Sequence, residues 1–151
     1  MPKPALVLVP GAWHTPQAFE KIIPKLEAKG FDCFPLSLPS VGMVPPVKDL
    51  EADIQTVRRA VTELCEAERD VAVVSHSWGG LPVNSALDGL SKAEMTSNGA
   101  KAGVVKLIFL CAFVVPVGIS VFDALGQKVP DLWRIEVRLT NKTKIPELNK
   151  I

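Results

Sequence analysis

Val71-Ala72-Val73-Val74-Ser75-His76-Ser77-Trp78-Gly79-Gly80 is the stretch that decides how this chain folds. Its first four residues are apolar and mostly β-branched, which suits a strand buried on both faces. An amphipathic helical pattern follows from Leu81 to Leu90. Between them Ser77 sits among small residues. A serine on a tight strand-to-helix turn is the pattern of a nucleophile elbow, which lifts the hydroxyl clear of the backbone. The positions two before and two after the serine must be small, because strand and helix crowd there. Gly79 and Gly80 meet the second demand. Ser75 stands where the general G-x-S-x-G pattern has its first glycine.

Working outward, Ala5 to Val9 is a short β-rich run bounded by prolines and reads as another buried strand. Pro10 to His14 is a loop. Thr15-Pro16 offers a helix start, with Phe19, Ile22, Ile23 and Leu26 on one face and Gly30 as the stop. Pro24 predicts a kink or split in that helix. Phe31 to Leu38 reads as a strand, and Pro39 to Pro46 as a turn-rich loop. From Val47 a long helix shows apolar Val47, Leu50, Ile54, Val57, Val61 and Leu64. Asp49, Glu51 and Asp53 are assigned to its solvated side. Ser91 to Gly103 reads as a polar connection, and the start of Val104 to Val115 as a central strand. Beyond Pro116, Ser120 to Leu125 suits a short helix, Gln127 to Trp133 a turn and Arg134 to Leu139 a strand. Thr140 to Ile151 has no period and reads as a mobile tail.

Strands alternating with helices predict a parallel sheet covered on both faces, an α/β three-layer sandwich of about four strands. Ligands in such sheets bind at the carboxyl ends of the strands. Pro10–His14 and Ser75–Gly80 both fall there. An acyl-transfer site needs two backbone donors for a developing oxyanion. Ala12 is placed to give one, with Gly11 allowing close approach, and Trp78, the residue after the serine, to give the other. The serine also needs a base. The chain has two histidines, His14 and His76. His76 adjoins Ser77 and reads as a structural residue packed under the turn. His14 lies in the loop bordering the pocket, with no third group evident to orient it. Asp123 reads as an exposed or capping carboxylate sooner than a pocket residue.

Composition narrows the rest. A net charge of +1 over 151 residues argues against broad binding to nucleic acid or to an anionic membrane. Cys33, Cys65 and Cys111 are far apart and show no disulfide or metal-ligand spacing, so buried free thiols are expected. No segment has the length or composition to span a membrane and no signal peptide is evident, which predicts a cytoplasmic protein. No dinucleotide or phosphate loop is present, and no cofactor or metal is implied.

Three segments together carry a family resemblance: Leu6-Val7-Leu8-Val9-Pro10-Gly11-Ala12-Trp13-His14, the Ser75–Gly80 elbow, and Phe109-Leu110-Cys111-Ala112-Phe113-Val114-Val115-Pro116. They resemble the α/β-hydrolase superfamily, in its small esterase branch with plant methylesterases and hydroxynitrile lyases. The resemblance covers residues 4 to 133. It implies Ser77 as nucleophile, the Ala12 and Trp78 amides as oxyanion hole, and Gly11, Trp13, His14 and Phe113 as pocket lining. Family members usually carry His where Pro10 stands. The family order of Ser, acid, then His is not completed here, because no His follows Ser77. The expectation is therefore a truncated α/β-hydrolase domain over 1–136, reaching the start of the lid, with a divergent tail over 137–151. The expected function is esterase-like hydrolysis of a small acyl or ester substrate. The alternative is a non-catalytic hydrolase-fold chain that binds a ligand or partner. Self-association through an exposed sheet edge is also expected, since an uncovered apolar edge invites pairing.

Overall fold

The computed structural model describes residues 2–128 and 130. The chain divides into two compact units, Met1–Pro116 and Val117–Ile151.

In the first unit, β1 (Ala5–Val9) and β3 (Val71–His76) lie side by side at the centre of a four-stranded sheet. β2 (Cys33–Pro35) flanks β1 and β4 (Val104–Leu110) flanks β3, giving the order β2-β1-β3-β4. All three pairings are parallel. Alternation along the strands feeds two apolar layers. Val7, Val9, Val71 and Val73 pack with Val57, Val61 and Cys65 of α2 (Glu51–Glu66) and Val83 and Ala86 of α3 (Gly80–Ala86). Leu6, Leu8 and Ala72 face the other way, onto Phe19, Ile23 and Leu26. The three-layer arrangement expected from the alternating pattern is present.

Local chemistry sets the element ends. Pro24 splits the expected first helix into a 3-10 turn, Pro16–Phe19, and α1 (Ile23–Glu27). β2 is shorter than its apolar run, ending at Pro35, and Leu36 N–H makes the last bond to β1, to the Leu8 carbonyl at 2.9 Å. The expected polar connection after Leu90 contains a helix, α4 (Lys92–Ser97), whose first turn is capped by the Ser91 side chain accepting from Glu94 N–H. Arg58 on α2 donates to the Ala86 and Asp88 carbonyls at 2.8 and 2.9 Å, capping the end of α3.

Three expectations are corrected. Asp53 is fully buried, not solvated: its carboxylate accepts from Ser40 N–H at 2.9 Å and Ser40 Oγ at 2.6 Å. Among the described residues β4 is an edge strand, not a central one, and its residues from Val105 to Leu110 are exposed. Of the three thiols, all free, only Cys65 is buried; Cys33 is half-buried and Cys111 exposed. Burial raises the Cys65 thiol, reinforced by Asp70, and burial also raises Cys33, reinforced by Glu27 and Asp32. Less thiolate means slower attack on a disulfide reagent. In the native chain, a neutral aromatic disulfide is expected to modify Cys111 first and Cys33 slowly. Cys65 should react only on unfolding. Peptide mass spectrometry over time reads the order, and early modification of Cys65 would contradict this packing.

In the second unit, α5 (Val121–Ala124) starts with a capping box between Ser120 and Asp123. Asp123 is an exposed cap residue, and the Ser120 hydroxyl, with Gln127, holds its carboxyl below the usual range. The expected strand at Arg134–Leu139, the 136/137 boundary and the tail lie outside the described residues.

Candidate active site

The strand order creates a crevice. The connection leaving β1 runs toward β2, and the one leaving β3 runs toward β4. Adjacent strands whose connections diverge leave an opening at their carboxyl ends, where α/β sheets bind ligands. The two loops at that opening are Pro10–His14 and the turn at Ser77.

Ser77 has φ of 50°, in the left-handed region that non-glycine residues rarely occupy. It begins a 3-10 turn, Ser77–Gly79, that leads directly into α3. Strand, left-handed serine and helix make the elbow geometry that the sequence pattern predicts. Its glycines are required sterically. A Cβ on Gly79 would stand 2.5 Å from the Pro10 carbonyl oxygen and 2.9 Å from that of Val9. One on Gly80 would overlap the Phe113 carbonyl oxygen. Ser75 is buried, and its hydroxyl is without a hydrogen-bond partner among the described residues. The slot takes a small side chain.

The loop after β1 closes on the elbow. A Cβ built on Gly11 would lie 3.0 Å from Ser77 Cβ and 3.0 Å from His76 Nδ1. His14 N–H donates to the Gly11 carbonyl at 3.2 Å, closing a turn in which Trp13 has φ of 62°. The His14 ring pairs through Nδ1 with the Ala12 carbonyl at 2.7 Å. The N–H of Ala12 has no acceptor within this turn, and that of Trp78 none within the 3-10 turn. On the far side of the elbow, Phe113 N–H donates to the Ser77 carbonyl at 2.9 Å, and Asn84 Nδ2 reaches the Phe113 carbonyl at 3.4 Å.

The structure thus gathers Gly11, Ala12, His14, His76, Ser77, Trp78 and Phe113 around one turn. Asn84 is the residue that sequence reasoning missed; its place one turn into the helix after the elbow was the available signal. His14 and His76 stand edge to face with ring centroids 6.1 Å apart. Neither is hydrogen-bonded to the Ser77 hydroxyl among the described residues. Trp13 is 70% exposed. An apolar groove of about 610 Å³ lies elsewhere, on the α1 face of the sheet, walled by Leu6, Leu8, Phe19, Leu26, Ile108 and Leu110 among others. Gly11, Trp13, His14 and Phe113 do not line it. No group of three or more metal-ligating side chains is present among the described residues. No helix among them is long and apolar enough to cross a membrane.

A profile of the alpha/beta hydrolase family matches residues 6–146. The chain belongs to the alpha/beta hydrolase family. This hydrolase-family chain is 34% identical over 130 residues to the alpha/beta hydrolase nvfD of Aspergillus novofumigatus, covering 86% of the chain and 51% of that protein. It is 33% identical over 134 residues to the probable hydrolase R7 of a Phoma species, covering 87% of the chain and 52% of that protein. Among solved structures, tomato methylketone synthase I bound to 2-tridecanone superposes with a TM-score of 0.70 at 20% identity. That superposition covers 95% of this chain and 54% of the tomato chain. Polyneuridine aldehyde esterase gives 0.65 at 19% identity, over 85% and 49%. At such identities these structures show the fold alone. The chain spans about half the length of the curated relatives it matches.

Proposed function

We propose that this chain carries the nucleophile and oxyanion site of a serine hydrolase acting on small esters or related acyl compounds. The observation that carries this reading is Ser77 at φ 50°, on an elbow at the end of β3, with Gly11 packed against it. In the proposed reaction the Ser77 hydroxyl oxygen adds to the acyl carbonyl as its proton passes to a base. The Ala12 and Trp78 amides hold the oxyanion. Collapse expels the alcohol, and water then releases the acid. The left-handed turn leaves Ser77 half-buried at the carboxyl end of the strand, and the His14–Ala12 hydrogen bond fixes the peptide next to the first donor.

What the described residues lack is a base that accepts a hydrogen bond from the Ser77 hydroxyl, so nucleophile activation is weak in this arrangement. Oxyanion stabilisation without the base retains roughly 10³–10⁴-fold acceleration over water in serine proteases. Slow acylation by a highly activated reagent is therefore the expected behaviour. A fluorophosphonate probe is expected to label the full chain at Ser77, slowly and with one phosphonyl group per chain. Ser77→Ala should abolish that label while leaving the far-UV circular dichroism unchanged. Absence of label in the folded wild-type chain, or label that survives Ser77→Ala, would overturn the reading.

A further inference from the structure

In the first unit the loops at the two ends of the sheet differ in charge. Asp32 and Asp70 directly precede β2 and β3, and Lys101 comes shortly before β4. All three ion pairs among the described residues lie at these amino ends: Arg69 with Asp32, Lys92 with Asp70, and Lys101 with Glu68. The carboxyl ends are built otherwise. Residues 10–19 after β1, 36–47 after β2, 77–87 after β3 and 111–116 after β4 contain no Asp, Glu, Lys or Arg. The charges that follow Val47 open α2, where Asp49 accepts from Glu51 N–H at 3.0 Å. Asp53 is buried, with both oxygens already accepting from Ser40. What these loops show to solvent is apolar: Trp13, Met43, Val44 and Val114 are between 53% and 89% exposed. Ser77 stands at this uncharged end.

We infer that the Ser77 site selects its substrate by charge. It takes esters that are neutral on both sides of the scissile bond and discriminates against those carrying a carboxylate or an ammonium group. This rests on the serine-hydrolase reading above and adds a substrate class to it. The cause is desolvation without compensation. A charged group brought against apolar side chains loses hydration, and the loops around Ser77 hold no opposite charge to offset the loss. A cleft lined by charges of one sign draws the opposite sign from solution. These loops supply no such field, so neither an anion nor a cation gains on approach. A neutral ester loses little hydration and gains apolar contact. Val114 is the position from which this selection can be reset. It follows Phe113, whose N–H donates to the Ser77 carbonyl at 2.9 Å, and it is exposed. A charge placed there has no core to disturb, and it acts over about 10 Å at about 0.1 M salt.

Fluorophosphonates with short alkyl groups of equal length, ending in methyl, carboxylate or ammonium, test the selection. The readout is the second-order rate of labelling at Ser77 in the full chain at neutral pH, divided by each reagent's rate of hydrolysis in buffer. The neutral reagent is expected to label at least about tenfold faster than either charged one. Val114→Lys should speed the carboxylate reagent and slow the ammonium reagent, with the neutral rate unchanged. Val114→Glu should do the reverse. Raising the salt to about 1 M should erase both changes and keep the wild-type preference, because salt screens a surface charge and does not restore lost hydration. The wild-type series decides the inference even if the variants fold poorly. Equal labelling of Ser77 by all three reagents, or faster labelling by a charged one, would overturn the inference and leave the serine-hydrolase reading standing. Folded Val114 variants that move neither charged rate would overturn the role of that position. Labelling by none of the three would overturn both readings.

Discussion

Gly80→Ala is expected to destabilise the folded chain by about 3 kcal/mol, near the top of the range for overpacking a close-packed site. The added methyl would overlap the Phe113 carbonyl oxygen and lie 3.1 Å from the Phe113 carbonyl carbon and from Ala112 Cβ. The nearest obstacle is backbone, so no side-chain rotation relieves it. The backbone in question is also tied down: Phe113 N–H donates to the Ser77 carbonyl, and Asn84 holds the Phe113 carbonyl. Moving Phe113 aside strains the first of these bonds and breaks the second, each a net loss of about 1 kcal/mol. Urea unfolding measures the effect as a lower midpoint at constant slope.

Gly89→Ala is the matched control. Gly89 has φ of 75°, and a Cβ there would meet nothing within 4 Å. The cost is the left-handed backbone alone, roughly 1–2 kcal/mol. The order Gly80→Ala well below Gly89→Ala, itself below wild type, separates crowding at the elbow from backbone strain. If the Gly80 variant unfolds at the wild-type midpoint, the crossing of Phe113 over the elbow is wrong. The same variant is expected to lose fluorophosphonate labelling at Ser77 before it loses secondary structure, because the displaced segment contacts the serine's own carbonyl.

The elements that sequence made legible are those whose burial is symmetrical. β1 and the first four residues of β3 are apolar and rich in valine because both faces are covered, and each is bounded by a turn the chemistry requires. Ser77 was legible for the same reason: the strand, the small residues and the helix had to agree around it. Pro24 announced the split of the first helix. Ser91-Lys92-Ala93-Glu94 is a capping-box pattern, yet α4 is not legible from periodicity, because the segment has no apolar face long enough to give a period. β4 misled in the opposite direction. Its composition suits a strand with neighbours on both sides, and the described residues supply a neighbour on one. Composition records what a strand is built to touch, and the sheet order records what it touches in this chain.

Asp53 shows the limit most sharply, and its removal is the second large effect expected. Periodicity places the apolar stripe of the helix that carries it on Val47, Leu50, Ile54, Val57, Val61 and Leu64. The column that is buried runs Asp53, Val57, Val61, Cys65, at strict four-residue spacing. A carboxylate at its head reads in sequence as solvent-facing, because polar residues usually are. The structure gives it a different task. Both carboxylate oxygens accept from Ser40, one from N–H and one from Oγ, and this pins the loop after β2 to the first turn of α2. The negative charge also lies at the positive end of the helix. Hydrogen bonds to a charged group contribute roughly 1.5–3 kcal/mol each. Asp53→Ala removes both and leaves a void, so a loss of about 3 kcal/mol is expected in urea unfolding. Asp53→Asn keeps a carbonyl for Ser40 N–H, and its amide can donate to a rotated Ser40 hydroxyl. Its expected cost is about 1 kcal/mol. The two variants should also differ locally. Thermolysin is expected to cut within residues 39–46 of Asp53→Ala well before global unfolding, and to spare that loop in Asp53→Asn. Equal stabilities for alanine and asparagine would mean that the carboxylate fills space and anchors nothing.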